Sequence, residues 1–133
     1  LFSMLMDHVQ QSTGFNQPVF VHDWPAFQTS CAKAHASGDF VERSELILAG
    51  IELSNGFPSV TDAAEQTKTF QEQLMYRQRG GKKSVALDDT YLAAMREGFP
   101  AADAKALGFD RLVMVLTDQP DLASVLAFGW DEL

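Results

Sequence analysis

An α+β fold built on antiparallel strands is what the sequence predicts, and three observations lead to it. The stretch ELILAGIELSNGF, Glu45 to Phe57, is an apolar, β-prone ribbon divided by Ala49-Gly50, where a two-residue hairpin turn falls. Segments of helical period, with start and stop signals, are inserted between strand-like segments. A length of 133 residues suits one domain with a real core and is short for two. A lone hairpin is not a stable sheet, so further strands must join it, and with so few the sheet is expected to be incomplete.

Taken in order, LFSMLMDHVQQ reads as an amphipathic helix. Asp7 and His8 interrupt it and no basic leader precedes it, so it is not read as a secretory signal. Gln17-Pro18 leads into a short strand, VFVHDW, stopped by Pro25. HASGDF is a loop, and the ribbon follows. Asp62 caps a helix with Glu65 three residues on, and Ala63, Thr67, Phe70 and Leu74 fall on one face as it runs towards Arg79. Asp88 or Asp89 starts another helix, which carries Leu92 and Met95 and ends near Gly98. AKALGFDRLVMVLTD reads as a strand through Leu107, a glycine, then a helix burying Phe109, Leu112, Val113 and Leu116. The tail DLASVLAFGW, through Trp130, is a helical turn followed by a short apolar segment.

Composition narrows the function classes. The net charge of −8 repels phosphate backbones, which argues against nucleic acid as a partner of this chain alone. No apolar run approaches membrane-spanning length. The one basic cluster, RQRGGKK at Arg77 to Lys83, reads as a helix C-terminus closed by Gly80-Gly81. Cys31 stands alone, which excludes an internal disulfide, fits a cytoplasmic setting and suggests a small buried thiol. His22 and His35 lack the paired spacing of a zinc site. There is no initiator Met, and Leu1, Phe2, Leu5 and Met6 are apolar, so the chain is expected to be a piece of something longer.

Two carboxylates in an apolar ribbon need a reason. With Ala49-Gly50 as the turn, Ile47 faces Glu52 and Glu45 faces Ser54, so Glu45 and Glu52 share a face about 7–8 Å apart as diagonal neighbours. Like charges so placed repel unless one is protonated or a cation lies between them. A divalent cation held by one or two carboxylates plus nucleotide phosphates is one solution. A solvated face at a sheet edge is the other. Further on, Gly108 lets the chain turn sharply into a helix whose first amides can face an anion, and Arg111 lies near that helix start, outside its apolar stripe. A guanidinium there can stack on a base, bind phosphate, or pair with Asp110 or Asp118.

Together, FVHDWPAFQTSCAK, ERSELILAGIELSNGFPSVTDAAEQ and ALGFDRLVMVL resemble the C-terminal half of a class II aminoacyl-tRNA synthetase core of the lysyl type. The nearest likeness is the elongation factor P–lysine ligase subfamily. The resemblance implies an antiparallel sheet flanked by helices. It also implies activation of an amino acid as an acyl adenylate with ATP and magnesium, then transfer to tRNA or to elongation factor P. By position, Glu45 and Glu52 match the carboxylates that hold ATP-bound magnesium. Asn55 and Phe57 match residues of the amino-acid pocket, and Arg111, beside Gly108, matches the third-motif arginine that packs against ATP. Ala106 stands where the elongation factor P ligases have Ala and lysyl-tRNA synthetases have Gly.

Three positions depart from that pattern. Ser59 replaces a Glu that meets the substrate ammonium, Ala104 replaces a glycine, and Lys105 replaces an apolar residue, so that its ammonium would obstruct the pocket or compensate for the lost charge. The family's first and second motifs are absent, so residues 1–133 are expected to carry only the C-terminal part of the catalytic domain and to be inactive alone. The alternative is a degenerate module that binds a nucleotide, metal or partner without catalysis. An incomplete sheet leaves an edge or apolar face to cover, so a homodimer is expected.

Overall fold

The computed structural model describes residues 2–129; Leu1 and Trp130 lie outside the described residues. The elements run α1 (Phe2–Gln11), β1 (Val19–Pro25), a short 3-10 turn (Ala26–Gln28), β2 (Phe40–Leu48), β3 (Ile51–Pro58), α2 (Ala63–Arg79), α3 (Asp89–Gly98), β4 (Asp103–Leu107) and α4 (Phe109–Leu116). The strands form one antiparallel sheet in the order β1-β2-β3-β4, which makes the fold α+β. The β2–β3 hairpin therefore lies in the middle of the sheet. The edge reading of its glutamates is corrected, because each hairpin strand has a further strand hydrogen-bonded to it. Backbone proximity divides the chain into two compact units, residues 1–22, 44–56 and 105–133 in the first, residues 23–43 and 57–104 in the second.

In the first unit the hairpin turn is the expected one. Ala49 and Gly50 have φ of 50° and 77°, the left-handed pair that a type I′ turn needs. The loop after α1 backs this turn: Ala49 N–H donates to the Gly14 carbonyl at 2.9 Å and Gly50 N–H to that of Thr13 at 2.8 Å. Ile47, Leu53 and Met114 are buried. The apolar stripe expected on α4 is buried only in part. Leu112 and Val113 are half-buried, but Phe109 and Leu116 are 67% and 72% exposed. Periodicity shows that a stripe exists, not what covers its ends, and among the described residues nothing does.

The second unit packs Trp24, Ala32, Val41, Val60, Leu92 and Met95. Short antiparallel bridges, Ala32 with Ser59 and Ala34 with Val41, tie its loop 29–39 to the residue after β3 and to β2. The Asp62 carboxylate accepts from the Ala64 and Glu65 amides, both at 2.8 Å, and so starts α2. Ala63, Thr67, Phe70 and Leu74 form its half-buried face. Gln66 lies within that face, fully buried, and its amide donates to the Ser30 carbonyl at 2.7 Å. The Asp88 carboxylate caps α3 by accepting from Tyr91 N–H at 2.9 Å. Burial first, then the nearby Cys31 thiol, pushes the Tyr91 phenol above its ordinary pKa. Cys31 itself is half-buried. Replacing Asp62 with Ala leaves two α2 amides without their acceptor, and urea denaturation is expected to show a loss of about 1 kcal/mol.

Candidate functional site

The hairpin register decides which side chains meet. Leu48 pairs with Ile51 and Ile47 with Glu52, but the register then shifts, so that Leu46 pairs with Ser54, Glu45 with Asn55 and Ser44 with Gly56. Leu53 is the extra residue of a β-bulge, which the even alternation used above did not include. The expected Glu45–Ser54 pairing is corrected to Glu45–Asn55. Glu45 and Ile47 share a face by alternation along β2, and Glu52 lies opposite Ile47 on that face. Asn55 would be on the other face of an unbulged strand, three residues from Glu52. The bulge puts it on the same one.

The side chains agree with that register. Glu45 is 5% exposed, and the Asn55 amide donates to its Oε1 at 3.2 Å. Glu52 is 30% exposed, and Arg111 reaches it twice. Arg111 Nη1 donates to the Glu52 carbonyl at 2.9 Å and lies 3.9 Å from its Oε2. The base of α4 is tied to the bulge, because Gly108 N–H donates to the Leu53 carbonyl at 2.8 Å. Gly108 has φ −74°, which any residue can adopt, so its glycine is not needed for the turn. Its value is space: a Cβ there would lie 3.2 Å from Arg111 Cδ and 3.4 Å from Arg111 Cβ. Arg111 folds back over this glycine towards Glu52.

Continuing the antiparallel register from the Gly108–Leu53 bond places Ala106 opposite Asn55 and Lys105 opposite Gly56. Glu45, Glu52, Asn55 and Ala106 thus share a face. Lys105 projects from the other one, where its ammonium sits 5.7 Å from the Phe20 ring centroid. Whether Lys105 enters the pocket was open in the sequence; this register sets it on the face opposite Glu45 and Asn55.

Phe57 and Ser59 belong to the second unit, and both are half-buried. Ser59 N–H donates to the Ala102 carbonyl at 2.9 Å. Ser59 lines a cleft of about 390 Å³ with Lys33, Glu65, Asp103 and Asp62, whose Oδ1 accepts both capping bonds. Sequence reading had Glu65 only as a capping residue and missed Lys33 and Asp103. No local signal would have found them, since they meet through strand pairing.

Two carboxylates on one face suit a divalent cation that takes its remaining ligands from phosphates and water. Among the described residues no group of three His, Cys, Asp or Glu side chains could hold a metal by itself.

Comparison with known proteins gives the following. The family model for class II tRNA synthetases (D, K and N) matches residues 4–132. An elongation factor P–(R)-β-lysine ligase of Edwardsiella ictaluri is 39% identical over 124 residues, 92% of this chain and 38% of that protein. Its counterpart in Hamiltonella defensa is 36% identical over 126 residues, 94% of this chain and 39% of that protein. A lysine–tRNA ligase of Idiomarina loihiensis is 36% identical over 113 residues, 84% of this chain and 22% of that protein. The chain thus spans well under half the length of these relatives.

Proposed function

The chain belongs to the class II tRNA synthetase family (D, K and N), and from that premise we propose that it is the C-terminal part of an amino-acid-activating ligase that uses ATP and magnesium to form an acyl adenylate. The observation that carries the proposal is the single face on which Glu45, Asn55, Glu52 and the tethered Arg111 converge.

Glu45 and Glu52 would hold magnesium, which when bound offsets the charge of the ATP phosphates. Asn55 fixes the orientation of the Glu45 carboxylate through its amide. The Glu52 carbonyl positions the Arg111 guanidinium, whose planar fork can bind a phosphate or stack on adenine. Gly108 leaves room for the arginine to lie back. Ala106, small and opposite Asn55, leaves space for the amino acid; Phe57, half-buried in the second unit, stays a pocket residue by family position alone. Within the second unit, the cleft lined by Ser59 carries the carboxylates of Glu65 and Asp103, a counter-charge for a cation that serine does not supply. Lys33, lining the same cleft, opposes that and supports a second reading, a non-catalytic binding module derived from the same core.

The printed names of the relatives support elongation factor P or tRNA as the acceptor and lysine or β-lysine as the activated group. No helix among the described residues is long and apolar enough to cross a membrane, and a cytoplasmic setting is part of the proposal. Exposed apolar residues of α1 and α4, Met4, Leu5, Phe109 and Leu116, support self-association as a homodimer.

Calorimetric titration of ATP with magnesium into the 133-residue chain is expected to give a Kd on the order of 1 mM, and the heat should vanish when EDTA removes the metal. No heat at millimolar ATP would sink the proposed half-site.

A further inference from the structure

The end of α2 carries a feature that adenylate chemistry does not use. Arg77, Arg79, Lys82 and Lys83 place four positive charges in seven residues with no acid among them, in a chain of net charge −8. A helix C-terminus presents only about half a negative charge, so offsetting the dipole accounts for a small part of this.

These cations are held by a built turn. Lys82 N–H donates to the Arg77 carbonyl at 2.9 Å and Gly81 N–H to the Gln78 carbonyl at 3.0 Å, the paired bonds of a Schellman motif. Gly81 takes the left-handed position, φ +67°. Arg77 Nη2 then donates to the Lys83 carbonyl at 3.3 Å, which draws the following chain back along the helix end. All four basic residues are exposed.

Beside them lies a groove of about 230 Å³ lined by Phe70, Leu74, Arg77, Val85, Leu87 and Asp88. The Asp88 carboxylate is engaged in capping α3. Val85 is 54% exposed and Tyr76 71%. Every one of these residues lies in the second unit.

We propose that this basic knuckle and its apolar groove dock an acidic segment of a partner protein, one carrying an apolar anchor residue. The charge calls for an anionic partner, and the groove calls for an apolar side chain set among those anionic groups. A nucleic acid carries its charge continuously and would extend over a remaining surface that is strongly acidic, whereas a short acidic segment ends where the knuckle does. The preset turn lowers the ordering cost of binding. This surface holds whether or not the ligase reading does.

The test uses the whole 133-residue chain and fluorescence anisotropy of three labelled probes. One is a decapeptide of Glu and Asp with a central Leu, the second has Ser in place of that Leu, and the third is a twelve-nucleotide oligouridine. Variants are the triple charge reversal R79E/K82E/K83E, which spares Arg77, and Val85→Ser; circular dichroism checks that both remain folded. The Leu peptide is expected to bind best and to weaken about 10-fold or more in the triple variant, with a smaller loss for Val85→Ser. Equal affinity of the triple variant, equal affinity of the Ser peptide, tighter binding of oligouridine, or no peptide binding at 1 mM would each overturn the proposal.

Discussion

Gly14→Ala is expected to destabilise the first unit strongly, by about 2–6 kcal/mol. Two effects combine at this position. Gly14 has φ +85°, where an L side chain is strained. A Cβ would also meet the Ile47 carbonyl oxygen at 2.9 Å, Leu48 Cα at 3.0 Å and the Ala49 amide nitrogen at 3.1 Å. All three are backbone atoms of the hairpin end and cannot rotate aside. Strain and overpacking each contribute about 1–3 kcal/mol. Gly38 is the control: its φ is +77°, but a Cβ there meets nothing within 4 Å, so Gly38→Ala carries strain alone. Urea denaturation of both variants separates the two effects. Equal losses would mean that the loop after α1 does not press against the hairpin turn.

Arg111→Ala is expected to have the largest effect on chemistry. If the proposed function holds, removing this preorganised charge donor should lower ATP–pyrophosphate exchange by the full-length protein about 10²–10³-fold. Arg111→Lys retains the charge without the planar fork and should recover only part of the rate. Stability should change far less, since Arg111 is half-exposed and makes one 2.9 Å bond, worth about 1 kcal/mol, to the Glu52 carbonyl. A variant with unchanged exchange, or with a loss matched by unfolding, would remove Arg111 from the proposed nucleotide site.

Arg111 also shows how much of the site was legible. Its place near a helix start was readable from ALGFDRLVM, and the family likeness singled it out. That its guanidinium would lie back over Gly108 to the Glu52 carbonyl was not. Gly108 was read as a turn-former, yet its φ is unremarkable and its role is clearance for the arginine. Ser59 was readable as a departure from a pattern. The carboxylates that line its cleft were not: Glu65, six residues on, carried only a helix-start signal, and Asp103 arrives from a distant part of the chain.

Signals contained within a few residues were readable without coordinates. The two-residue turn at Ala49-Gly50, the cap at Asp62, a helix start at Asp88 or Asp89, the glycine end of α2 and the order of the elements depend on local torsions and on hydrogen bonds spanning three or four residues. Long-range pairing settled the rest. One extra residue, Leu53, re-phased β3, so that Glu45 met Asn55 instead of Ser54 and Asn55 came to the face of Glu52. The same pairing carried Lys105 to the opposite face, and the neighbours α4 met left Phe109 and Leu116 exposed. In a sheet of period two, a one-residue slip reverses every side chain beyond it, and the partner strand that sets the slip lies elsewhere in the chain.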